Sequence, residues 1–146
     1  MKNLFKLVLV ALMGVLFAIS GVNAQSVQNM NGNGDTITNT GTKYNTLKVG
    51  ETANAFVTIQ TNITKLSGTV GGTITIEGSL DGVYYKLLDT NLTVNATVSQ
   101  TPSNTAGTVS YDWHITNNTF QYYRVKYVGT GTMSAKMSSL LFLRKK

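Results

Sequence analysis

The sequence predicts an all-β protein: an antiparallel β-sandwich, jelly-roll or immunoglobulin-like, of about eight strands behind an N-terminal signal helix. Three observations carry that reading. Beyond position 42, apolar residues recur with period two, the signature of strands buried on one face. Gly, Asn and Asp clusters interrupt the pattern at short intervals, as turns between short strands require. Outside the first twenty-four residues, no segment places apolar residues at i, i+3, i+4 and i+7.

The segment 1–24 has the three-part layout of a secretory signal. Lys2 and Lys6 form a basic head, Leu7 to Ile19 an apolar core, and Val22-Asn23-Ala24 a small-residue cleavage site. Cleavage is expected before Gln25, which leaves no stable membrane span; the alternative is an uncleaved N-terminal anchor that retains Met1. The expected destination is the periplasm, cell surface or extracellular space, or a virion. Residues 25–42 are rich in Asn, Gly and Thr and read as a flexible leader or a loosely attached first strand. Residues 43–146 form the sandwich domain, about the usual length of one domain.

Within that domain, Ile74 and Ile76 alternate with Thr73, Thr75 and Glu77. Asp81-Gly82, between Leu80 and Val83, has the composition of a two-residue type I′ hairpin turn. Val83, Tyr85 and Leu87 then share an inner face, with Tyr84 outward. Leu92, Val94, Ala96 and Val98 alternate with Asn91, Thr93, Asn95 and Thr97. Val109, Tyr111, Trp113 and Ile115 oppose Ser110, Asp112, His114 and Thr116. Tyr123, Val125 and Tyr127 read as inner; Phe120 and Tyr122 read as outward, with Arg124 and Lys126. Gly129-Thr130-Gly131 suits a second hairpin. Met133, Ala135, Met137, Leu141 and Leu143 share a last apolar face, in which Ser139 is the odd member.

Composition narrows the chemistry. The cysteine count is 0, which removes disulfides, thiol catalysis and thiolate metal sites. Charged residues are 12% of the chain, so Thr, Asn, Ser and Gly supply the polar surface. Those polar faces exclude a transmembrane barrel, whose outer face must be apolar. The formal charge of +6 is partly the tail Arg144-Lys145-Lys146, read as a solvated terminus rather than a nucleic-acid contact.

Gly78-Ser79-Leu80-Asp81-Gly82-Val83-Tyr84-Tyr85-Lys86-Leu87, followed by Tyr122-Tyr123-Arg124-Val125-Lys126-Tyr127 and Gly129-Thr130-Gly131-Thr132-Met133, resembles small β-sandwich proteins. These occur among bacteriophage virion structural proteins and exported bacterial proteins. The G-S-x-D-G-x-x-Y element also resembles a hairpin of discoidin-like, carbohydrate-binding jelly rolls. The likeness spans about Phe56 to Arg144 and implies a sandwich that binds or assembles; it supplies no catalytic residue.

No catalytic constellation emerges from the residues themselves. Ser110, Asp112 and His114 lie on one strand face, where side chains project in parallel from positions about 6.6 to 7 Å apart, unlike a triad. One His and no Cys are too few for a zinc site. Asn31, Asn33 and Asp35, or Glu77, Asp81 and Asp89, could contribute to a structural calcium site, but no full calcium-loop pattern exists and no cofactor is expected. The expectation is a non-enzymatic structural or interaction protein whose partners are protein subunits (copies of itself, virion or envelope proteins) or surface glycans. A carbohydrate-binding module is the alternative. Tyr84, Phe120 and Tyr122 are the candidate partner-binding residues, because outward aromatics offer large contact area at low entropic cost.

Overall fold

A computed structural model describes residues 25–50, 55–89, 97–116 and 118–145. The signal-like segment 1–24 and most of the predicted strand Asn91 to Val98 lie outside them. Ten strands are present among the described residues: β1 (Gln25–Asn29), β2 (Asp35–Thr38), β3 (Thr42–Lys48), β4 (Ala55–Gly68), β5 (Gly72–Ser79), β6 (Lys86–Leu87), β7 (Ser99–Gln100), β8 (Thr108–Ile115), β9 (Tyr122–Gly129) and β10 (Met133–Lys145). No helix among the described residues is long and apolar enough to cross a membrane.

The strands form two antiparallel sheets stacked as a sandwich. In the first, the order is β1-β10-β4-β8, with β2 following β1 along the same edge of β10. The second runs β3-β9-β5-β6, with β7 beside β6 on the edge of β5. From β2 onward, successive strands alternate between sheets except at β5 to β6 and β7. That order is the jelly roll, the first of the two sandwich types compatible with the sequence.

This topology corrects the second hairpin. Gly129 ends β9 in one sheet and Met133 opens β10 in the other, so Gly129-Thr130-Gly131 carries the chain across the sandwich. The opposite crossing, from β4 to β5, runs beside it. There Gly72 has φ +121°, and a Cβ would meet the Val128 carbonyl oxygen at 2.0 Å, so only glycine fits.

The alternating faces pack as their periodicity requires. Val57, Ile59, Ile63, Trp113, Ile115, Met137 and Leu141 of the first sheet face Ile74, Ile76, Tyr123, Val125 and Tyr127 of the second, all buried. Residues 25–42 supply two strands to the first sheet and bury Met30 and Ile37 in this core. Of the run 91–98, Thr97 and Val98 are described, the first exposed and the second buried.

Ser139 interrupts the apolar face of β10 because it belongs to a polar staple between the sheets. Its backbone N–H donates to Asn33 Oδ1 (2.6 Å), and Asn33 Nδ2 donates to its carbonyl (2.9 Å). Its hydroxyl meets Thr61 Oγ1 on β4 at 2.8 Å, and the Asn45 carboxamide from β3 lies 3.0 Å away. Buried polar groups are tolerated when mutually satisfied, and satisfied networks fix one packing over its alternatives.

Candidate functional site

Tyr84, Phe120 and Tyr122 come together at one end of the sandwich, around the connection from β5 to β6. The segment 80–85 is a six-residue loop rather than the expected two-residue turn. A type I′ turn needs positive φ at both central residues; Gly82 has φ +77° and Asp81 does not share it. The Asp81 carboxylate organises the loop instead. Its Oδ1 accepts from the backbone N–H of Val83 (2.8 Å) and Tyr84 (2.9 Å) and from the Ser79 hydroxyl (2.9 Å). Ser79 Oγ in turn accepts from the Gly82 N–H at 3.0 Å. The Tyr84 and Val83 amides, then the Ser79 hydroxyl, hold the Asp81 carboxyl below its ordinary range, because each favours the charged form.

The outer face of the second sheet pins the loop from below. Register pairs place Glu77 and Ser79 of β5 beside Arg124 and Tyr122 of β9, with Thr46 and Lys48 of β3 beyond. The Arg124 guanidinium lies between two rings, 3.9 Å from the Tyr85 centroid and 4.5 Å from that of Tyr44. Arg124 Nε donates to Glu77 Oε2 at 2.7 Å, and its Nη2 reaches the same oxygen. Lys126 Nζ is 3.9 Å from Glu77 Oε1. Glu77 is therefore buried on this outer face, neutralised by two cations. Burial raises the Tyr85 phenol above its ordinary range, with the Arg124 charge opposing.

These contacts sort the three candidates. Tyr84 points outward as expected and is 79% exposed. Tyr122 is on the outer face but half-buried: its ring lies under Gly82, close enough that an added Cβ would sit 3.0 Å from it, and Lys48 Nζ is 5.4 Å from its centroid. Phe120 does not point outward. It packs half-buried against the core, edge-on to Tyr123 (centroids 6.3 Å apart, planes at 85°), over a space kept open by Gly78. Tyr84 and Phe120 meet across a cavity of about 350 Å³ also lined by Leu80 and Lys86.

The expected inner face of 83–87 is overturned. Val83 is 71% and Leu87 52% exposed, while Tyr85 stacks on Arg124 outside the core. The Tyr85 ring is seated on the Arg124 guanidinium, which also lies over Tyr44. Leu80, at 65%, completes an apolar tip with Val83 and Tyr84. Sequence reasoning missed Leu80, Val83 and Tyr44; the adjacency of Leu80 and Val83 to Asp81-Gly82 was the available signal that they cap a loop.

The strand carrying Ser110, Asp112 and His114 departs from the expected separation at one point. His114 Nε2 lies 2.7 Å from Asp112 Oδ2, because both side chains lean along the strand, and Nδ1 is 3.2 Å from Thr58 Oγ1. Ser110 instead donates to Asn62 Oδ1 at 2.6 Å, so it stands apart from the pair. Among the described residues, no three His, Asp or Glu side chains are placed to hold a metal ion; Asp35 faces Lys43, and Asn33 lies in the staple.

The sequence matches no protein-family model and no curated protein. Among solved structures, the chain is similar to the PBSX exported protein XepA, at 13% identity and TM-score 0.54, over 83% of this chain and 37% of that one. It is also similar to the enzymatically active domain of tailspike protein 4 of bacteriophage CBA120, at 7% identity and TM-score 0.50, over 82% of this chain and 17% of that one. A third is the SPBc2 prophage-derived protein YomS, at 8% identity and TM-score 0.49, covering 83% and 95% of the two chains. The resemblance to β-sandwich proteins of phages and exported proteins thus holds at the level of the fold.

Proposed function

We propose that this chain is a non-enzymatic structural or interaction protein, exported to act at a cell or particle surface, and that it docks there through the loop from Leu80 to Leu87. The observation that carries this reading is the loop's combination of exposure and rigidity. Leu80, Val83, Tyr84 and Leu87 hold their apolar surface in water, and burying a Val or Leu side chain is worth roughly 1.5 to 3 kcal/mol. Meanwhile Asp81, Tyr85 and Gly82 fix the backbone beneath them. A preorganised apolar tip loses little entropy on association, as a docking element requires. The signal-like segment 1–24 and the likeness in fold to the PBSX exported protein XepA support the surface location.

The test is the triple variant Leu80→Ser, Val83→Ser, Tyr84→Ser. Its thermal melt should match the parent, because none of the three contributes to the core. Co-sedimentation with virions or envelope fragments, and light scattering of the chain alone, should show association weakened by about 2 kcal/mol or more, the scale of an aromatic hot spot. Undiminished association would move the docking surface elsewhere.

A further inference from the structure

A second site lies on the outer face of the first sheet, across the sandwich from the loop. Phe142 of β10 pairs with Thr58 of β4, and Thr58 with His114 of β8, so the three stand in one row across three strands. Arg144 pairs with Phe56 in the next row, and Thr116 follows the end of β8. These six residues line a cleft of about 380 Å³, within the range of small-molecule sites. The two phenylalanines are diagonal neighbours, one residue row and one strand apart, and both line the cleft. Both are held in place by the sheet rather than by a loop.

The polar groups around this pair are unequal. His114 is committed: its Nε2 lies 2.7 Å from the Asp112 carboxylate and its Nδ1 3.2 Å from the Thr58 hydroxyl, so both ring nitrogens are engaged. Thr58 Oγ1 then keeps acceptor capacity toward the cleft. Arg144, at the opposite side, is exposed and makes no ion pair among the described residues. A guanidinium recognises a carboxylate by two parallel hydrogen bonds, and such a pair gains strength beside apolar surface.

We infer that this cleft is a binding site for an acidic saccharide, a pyranose whose C–H face stacks on Phe56 and Phe142 and whose carboxylate pairs with Arg144. The Thr58 hydroxyl on β4 then meets a ring hydroxyl. The site is independent of the docking loop, since no residue is shared.

The experiment is an amide-resolved NMR titration of the full chain with an oligomer of galacturonic acid, with the neutral galactose oligomer and inorganic phosphate as parallel arms. The acidic oligomer should shift Thr58, His114 and Phe142, with an affinity that falls as salt is added. Arg144→Gln should weaken it at least tenfold and remove the salt dependence, leaving the other amides where they were. Phe142→Leu, which keeps an apolar side chain at the position, should weaken it as well. Tyr84→Ser should leave it unchanged, so the result is separable from the fate of the docking loop. No shift at these residues, equal binding of the neutral oligomer, equal shifts with phosphate, or unaltered binding by Arg144→Gln would each overturn the inference.

Discussion

Trp113 and His114 are adjacent in sequence and opposite in environment, because successive strand residues face opposite sides of a sheet. Trp113 is buried, and its indole N–H has no hydrogen-bond partner among the described residues. Trp113→Ala should cost about 3 to 5 kcal/mol by urea denaturation, the range for truncating a large buried aromatic. His114→Ala removes contacts to Asp112 and Thr58 at an exposed position, where such pairs contribute at most about 1 kcal/mol. Equal losses at the two sites would contradict the assigned strand faces.

Elements depend on a few such residues for their shape. The loop 80–85 contains no regular structure and is held by Asp81. Asp81→Ala should leave the sandwich folded while amide exchange at Val83 and Tyr84 accelerates by about tenfold or more, as expected of a locally opened segment. The pH dependence has a definite sign. The Asp81 carboxyl is depressed by its hydrogen bonds, so its support for the loop is present above the ordinary carboxylate value of 3.8 and is lost as pH falls through the lower value in the folded protein. Exchange at Val83 and Tyr84, corrected for intrinsic rates, should therefore stay constant from neutral to mildly acidic pH and rise in stronger acid. The N-terminal elements behave differently. Ile37 of β2 is fully buried, so Ile37→Ala should cost about 2 to 5 kcal/mol, as for other core aliphatics. A melt within 0.5 kcal/mol of the parent would show that β2 is dispensable to the core.

At the scale of the molecule, one core carries the stability, with no disulfide to supplement it. Tyr127 spans this core and donates its hydroxyl to the Gly71 carbonyl at 3.1 Å, beside the paired crossings between the sheets. Burial, with a smaller contribution from Tyr111, pushes its phenol up to about 12, and burial raises Tyr123 further still. A raised pKa means that the fold favours the neutral phenol. That contribution is intact below pH 10, the ordinary value, and is lost as pH rises toward about 12. Alkaline titration is followed by tyrosinate absorbance and far-ultraviolet circular dichroism together. Ionisation of Tyr127 should then coincide with loss of the β-sheet circular dichroism signal; a folded protein with every tyrosine ionised would refute the assignment.

The sequence by itself determined the class of fold and the inner faces of β8, β9 and β10, because period-two alternation is a local property that burial reads directly. It also marked Ser139 as anomalous and Tyr84 as outward. It could not tell a turn within a sheet from one between sheets: Gly129-Thr130-Gly131 permits both, and the partner strands are set by packing along the whole chain. Asp81-Gly82 carried the composition of a tight turn, yet the loop's shape depends on Ser79 and on Tyr122 and Arg124, some forty residues away. The same distance hid the seat of Tyr85 and the row of Phe142, Thr58 and His114, whose members come from three strands. Alternation fixes which way a side chain points from its own strand; which neighbours it meets is decided by register and sheet order, and those exist only once the strands are paired.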